Sequence, residues 1–262
     1  MPDALAVRTV VPDVDTASRA MAVAEAPDGS VRGYASWGPD GALQLLVDDG
    51  VEEASAVAVA LVDALRAATG TAPARWFVRA AQGRDRATAR ALSLSADREL
   101  WQMRRPLPPP SADSVRLVCR AFEPGRDEAP WLAVNNRAFA EHPDQGDQTL
   151  DRLLALEAEP WFDPAGFLLH EEDGHLDGFC WTKIHRDHDP PVGEIFVIGV
   201  DPAAHGRGRG RALALAGLEW LHDAGITEAL LYVDADNTPA VRLYRHLGFV
   251  VVSRDVVFAA DR

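Results

Sequence analysis

Cysteine is scarce: the 262-residue chain has two, Cys119 and Cys180, far apart and in no C-x-x-C pattern. They support neither a disulfide framework nor a zinc ribbon, and Cys180 reads as a small hydrophobe. Positive charge is short as well. The 26 Lys and Arg residues face 40 Asp and Glu, a formal net charge of −14, which argues against nucleic acid as a partner because such proteins show a basic face. No apolar run nears the length of a membrane span, and the opening MPDALAVRTVVPDVD has no basic stretch followed by an apolar one. A cytoplasmic chain with no membrane partner is therefore expected. What remains is a 47% hydrophobic, 25% charged composition, proper to a globular protein, at a length that allows two domains with their own cores.

In this acidic chain one stretch is locally basic. Residues 193–218 read GEIFVIGVDPAAHGRGRGRALALAGL. Ile195 to Val200 is a β-branched, apolar run, the signature of a buried strand, which Asp201 and Pro202 stop. Gly206, Gly208 and Gly210 then alternate with Arg207, Arg209 and Arg211, and an Ala/Leu helix follows. Small residues let successive backbone N–H groups turn toward one point, and the helix N-terminus adds its dipole. Such a loop cradles a pyrophosphate. It matches neither the G-x-G-x-x-G of a Rossmann turn nor a P-loop, since no Lys-Ser/Thr follows.

Along the chain, a short helix near Ala17 to Glu25 is expected, then two strands, Val31 to Trp37 and Ala42 to Val47, about the turn Gly38-Pro39-Asp40-Gly41. A helix over Ala54 to Thr69 carries Val57, Leu61, Val62 and Leu65 on one side. Strand Arg75 to Val78, helix Arg84 to Leu94 and strand Glu99 to Arg104 complete this part. The prolines of RPLPPPS, from Arg105, suit only a stiff linker. Beyond it come strand Val115 to Phe122, helices Glu128 to Phe139 and Leu150 to Glu157, and a hairpin of Phe167 to Glu171 with Leu176 to Ile184. The central strand Glu194 to Val200, helix Arg211 to His222, strand Glu228 to Val233, helix Thr238 to Leu247 and strand Phe249 to Phe258 follow. The closing element order of both parts is the same, so the sequence reads as two copies of one fold. Where the second copy has its glycine-arginine loop, the first has Val47-Asp48-Asp49-Gly50-Val51-Glu52-Glu53, whose four carboxylates would repel a diphosphate. The expected division is 1–105, a proline-rich linker 106–114, and 115–262.

The stretch His205-Gly206-Arg207-Gly208-Arg209-Gly210 resembles the coenzyme loop, Q/R-x-x-G-x-G/A, of the GNAT N-acetyltransferases. Further stretches resemble one tandem-domain branch, the mycothiol synthases: ELWQMRRPL from Glu99, VNNRAF from Val134, HPDQG from His142, WFDPAG from Trp161, GFCWTK from Gly178, LYVDADN from Leu231 and AVRLY from Ala240. Asp144 stands where that branch usually has Glu, and Cys180 where it commonly has His. The resemblance implies an α/β (α+β) fold of two GNAT-like domains, each a mixed, mostly antiparallel twisted sheet flanked by helices, with a shortened, degenerate first copy and a catalytic second copy.

It further implies acetyl-CoA as donor and the cysteinyl amine of cysteinyl-glucosaminyl-inositol as acceptor; a monomer without a metal is expected. On it, Glu194 matches the general base and Tyr244 the general acid that protonates the departing thiolate. Ile198, Gly199 and Val200 match the strand that pairs with pantetheine, with the Val200 N–H polarising the carbonyl. His205 to Arg211, with Asn237, Thr238 and Arg242, match the coenzyme contacts. Asp144, Lys183, Glu194 and Tyr232 match the acceptor site. Read without the resemblance, Glu194 is a strand-end carboxylate, Tyr244 a packing residue, Asp144 a loop residue and Lys183 a solvated charge. The cluster His185-Arg186-Asp187-His188-Asp189, beside two prolines, offers no defined ligand geometry.

Overall fold

The computed structural model describes residues 5–10, 20–48, 50–51, 53–109, 117–142 and 145–260. In chain order the elements are β1 (Ala6–Val10), β2 (Met21–Glu25), β3 (Val31–Trp37), β4 (Ala42–Val47), α1 (Ala54–Thr69), β5 (Arg75–Val78), α2 (Gly83–Ala91), β6 (Leu94–Pro106), β7 (Cys119–Ala121), α3 (Glu128–Ala138), α4 (Leu150–Glu157), β8 (Phe167–Glu172), β9 (His175–His185), β10 (Val192–Val200), α5 (Arg209–Asp223), β11 (Glu228–Asp234), α6 (Thr238–His246) and β12 (Val250–Ala260). They form two compact units. One holds Met1–Trp101 with Asp234–Asp236 and Ser253–Arg262; the other holds Gln102–Val233 with Asn237–Val252. Residues 110–114 of the expected linker lie outside the described residues.

In the first unit β1 to β4 form an antiparallel meander, and β4 runs parallel to β5. Beside β5, antiparallel to it, lies the end of β12, with Phe258 opposite Trp76. The helix α1 forms because Ala58, Leu61, Val62 and Leu65 recur on one face, and that face is buried against Ala22, Ala24, Trp37, Leu43 and Trp76. Gly70 ends it in the left-handed conformation, φ 69°, which a side chain would strain. Met21 to Glu25, expected as part of a helix, is instead strand β2, and residues 17–19 lie outside the described residues. The reason is two-sided burial: Ala22, Val23 and Ala24 are all buried, so a run of small apolar residues shows no alternation and locally resembles helix.

In the second unit the strand order is β6-β11-β10-β9-β8-β7. β7 to β10 pair antiparallel, and β10 runs parallel to β11. One face of β8, β9 and β10 carries an aromatic cluster: Phe167 stacks on Trp181 at 4.3 Å and on Phe122 at 4.4 Å, with Trp131 edge-on to Phe167 and Trp181. Burial of such rings stabilises by about 2 kcal/mol each or more. The opposite face packs under α5, where Gly217 is required: a Cβ there would lie 2.5 Å from the Cys180 sulfur. Helix α5 begins at Arg209, not Arg211 as expected, because Gly208 at φ 73° already turns the chain into it.

Candidate active site

Strand β10 pairs with β11 over Gly193–Ile195 opposite Ala229–Leu231, and among the described residues that parallel ladder goes no further. A bulge between Ile195 and Val197 shifts the register on the β9 side, and pairing with β9 resumes through Val200. The β11-facing edge of β10 is thus left open beyond Ile195. The amide of Asp201 donates to the Asp177 carbonyl at 2.8 Å, toward β9. Strand amides alternate sides, so the Ile198 and Val200 N–H groups point to the open edge and Gly199 points to β9. There the Val200 carbonyl accepts a bond from His205 Nε2 at 3.0 Å. An extended, amide-bearing ligand fits such an edge as an added strand.

The glycine-arginine loop lies at the end of that edge. Gly206 and Gly208 are left-handed, φ 80° and 73°, and added Cβ atoms would meet nothing within 4 Å, so backbone conformation rather than crowding requires glycine. No side chain caps the N-terminus of α5, which leaves the first-turn amides of Arg209, Gly210 and Arg211 for an anion. The three arginines are not equivalent. Arg209 is buried, its Nε is 2.9 Å from Asp177 Oδ2, and it also bonds Glu172 and the Ala204 carbonyl. Exposed Arg207 pairs with Glu172 at 2.9 Å. The charge of Arg209, expected at the cradle, is committed to fastening the loop to the β8–β9 hairpin; Arg211 is half-buried.

At the other end of β10 stands Glu194, 7% exposed. Lys183 is directly opposite on β9, with its Nζ 4.3 Å from the Trp161 ring centre and 5.5 Å from that of Phe196, an arrangement in which the rings' negative faces hold the ammonium. His185, one step diagonal to Glu194, places Nε2 2.7 Å from Glu194 Oε2. Leu230 of β11 is in register with Glu194, so Tyr232, two residues on, shares its face. Tyr232 is exposed and its hydroxyl accepts a bond from Gln102 Nε2 at 2.7 Å.

Asp144 lies outside the described residues. The loop's far side is held by two asparagines of α3: Asn135 Nδ2 donates to the Gln145 carbonyl and Asn136 Nδ2 to that of Gln148, both at 2.9 Å. Sequence reading had not placed His185, Trp161 or Phe196 in a site. Their signal was present only as spacing: His185 and Lys183 fall on one face of a strand whose partner carries Glu194, which shows once the β9–β10 register is known.

Tyr244 is buried in α6, edge-on to Phe249 at 5.8 Å. Burial, with Cys180 nearby, pushes its phenol well above the ordinary range. Burial likewise pushes the Cys180 thiol up. Asn237 caps α6, its Oδ1 accepting from the Ala240 amide at 3.2 Å; Thr238 is the first helical residue and Arg242 is exposed. Among the described residues no group of three or more His, Cys, Asp and Glu is placed to hold a metal ion, and no helix is long and apolar enough to cross a membrane.

The first unit has a counterpart of this arrangement. Among the described residues β4 pairs with β5 only over Ala42–Leu43 opposite Arg75–Trp76, and α1 starts from a left-handed residue, Glu53 at φ 59°, as α5 starts from Gly208. The turn is kept, but a glutamate occupies it. Asp49 and Glu52 lie outside the described residues.

The Acetyltransferase (GNAT) family model matches residues 131–249. The mycothiol acetyltransferase of Thermomonospora curvata is 45% identical over 257 residues, covering 92% of this chain and 83% of that protein. The enzyme of the same name from Frankia alni is 46% identical over 256 residues, 90% of this chain and 76% of its own. Among solved structures, a GCN5-related N-acetyltransferase from Sphaerobacter thermophilus has a TM-score of 0.69 at 26% identity, covering 91% of this chain and 79% of that one. A tandem GNAT protein from the clavulanic acid biosynthesis pathway shares the fold at a TM-score of 0.55 and 17% identity, covering 94% and 84%.

Proposed function

The chain belongs to the mycothiol acetyltransferase family of GNAT acetyltransferases, and from that premise we propose that it transfers the acetyl group of acetyl-CoA to the cysteinyl amine of cysteinyl-glucosaminyl-inositol. The observation that carries this reading is the layout of β10, with a buried carboxylate, Glu194, at one end and the open-edge amide of Val200 beside the glycine loop at the other. Pantetheine lies along Ile198 to Val200 as an extra strand, and the pyrophosphate takes the amides from Gly206 to Arg211, with Asn237, Thr238 and Arg242 lining the far side.

Glu194, directly or through water, takes the ammonium proton so that the nitrogen lone pair can attack the thioester carbon. The Val200 N–H holds the developing oxyanion. As the C–S bond breaks, Tyr244 protonates the thiolate and regains a proton from the nitrogen, which sheds its second proton as the amide forms. Lys183, Tyr232 and Asp144 hold the hydroxyl-rich acceptor. The second unit carries this chemistry; the first, with Glu53 and its neighbouring carboxylates in the turn, acts as a support that does not take the coenzyme.

The test is coenzyme A release from acetyl-CoA with the cysteinyl sugar, the uncysteinylated sugar and a panel of simple amines, with product mass verified because the substrate thiol reacts with thiol dyes. Strong preference for the cysteinyl sugar, and a fall in kcat of about 100-fold or more in Glu194→Gln with coenzyme binding intact, is the expected result. Turnover confined to other amines removes the acceptor assignment, and tight coenzyme binding without turnover removes catalysis.

A further inference from the structure

Acetylating an ammonium strips two protons from nitrogen and returns one to sulfur, so each turnover must expel one proton. The carboxylate that receives protons here, Glu194, has a side chain only 9% exposed, whereas that of His185 is 23% exposed and its Nε2 lies 2.7 Å from Glu194 Oε2. Beyond it the His188 ring approaches the His185 ring edge-on at 5.9 Å, at the exposed end of the hairpin. Lys183, which also faces Glu194, has its ammonium over Trp161 and Phe196 and cannot accept a proton while charged. The imidazole is therefore the titratable group that joins the buried carboxylate to water.

We propose that His185 is the proton exit for Glu194, a role that rests on Glu194 acting as the base. In this step the Glu194 carboxyl O–H breaks and an N–H forms at His185 Nε2; the imidazolium then gives a proton to water, and Glu194 is again an ionised acceptor for the next ammonium. His185 is a positioning and relay residue, acting through Glu194 without touching the acetyl group.

The test compares His185→Ala and His185→Gln, each alone and in a Glu194→Gln background, using whichever amine the wild-type enzyme acetylates best. Both single variants are expected to lose roughly 10- to 100-fold in kcat, with the acetyl-CoA Kd within twofold of wild type. Added imidazole should restore kcat of His185→Ala with saturation. In the Glu194→Gln background neither His185 change should cost more, since the two residues act as one unit. Glutamine keeps a hydrogen bond but cannot carry a proton, so wild-type kcat in His185→Gln overturns the proposal in favour of simple support, as does full additivity with Glu194→Gln. Should His185→Ala unfold, His185→Gln still decides. Wild-type turnover in Glu194→Gln alone sinks the underlying reading of the base; collapse there with both His185 variants at full speed sinks only the exit.

Discussion

Tyr244 shows how one residue's surroundings decide what it can do. An exposed phenol titrates near pH 10, but burial, aided by Cys180, holds Tyr244 in its protonated form well beyond that. As the proposed proton donor, a phenol held protonated by burial across the working range has a consequence for the pH profile. The donor is competent below its raised titration point, so kcat should show no descending limb from this group up to about pH 10. Tyr244→Phe should lower kcat about 100-fold or more while leaving coenzyme binding within twofold; a stopped-time assay across pH with titration of acetyl-CoA checks both. The residue type and its place in an AVRLY segment made Tyr244 a candidate, as the E-I-F-V-I-G-V run did Glu194. What the sequence could not carry was partnership. Glu194 with Lys183 and His185 depends on the β9–β10 register, and the commitment of Arg209 to Asp177 depends on a hairpin folding back, neither of which is a local property.

At the level of elements, the start of α3 is fastened by an ion pair. Asp127, just before the helix, is 2% exposed at its side chain and takes two bonds from the Arg120 guanidinium of β7 as well as the Glu123 amide at 2.8 Å. Burial alone would raise its carboxyl, but Arg120 and that amide outweigh burial and hold it below the usual range. A carboxyl depressed in the folded state contributes stability above its unfolded value of about 3.9 and loses it as pH falls through the lower folded value. Asp127→Asn should therefore destabilise by about 2–4 kcal/mol at pH 7, and the difference should shrink below about pH 4 in melting curves of the two proteins. Elements such as α1, β5 and α4 were legible to the residue because helix and strand periodicities were clean and the ends were marked. β1 was not foreseen, and β2 was misread, since a run of small apolar residues buried on both faces carries no period of two.

For the molecule as a whole, chain order and compactness part company. The chain passes from one unit to the other after Trp101, Val233, Asp236 and Val252, and the far end of β12 gives the first unit two buried side chains, Val256 and Phe258, the latter 5.6 Å from Trp76. Ending the chain at Val252 should strip roughly 3–6 kcal/mol of apolar burial from the first unit and lower its melting temperature or solubility, even though every residue of 1–101 remains. The same logic of unfilled places applies to the open side of β10. A row of unpaired amides beside apolar residues is a template on which any extended chain can zip, including the strand of another molecule. Whatever molecule lies in that row shields it, so a coenzyme bound as proposed would serve as a guardian against clumping as well as a reagent, and the protein would then be at its most vulnerable when its own fuel runs out.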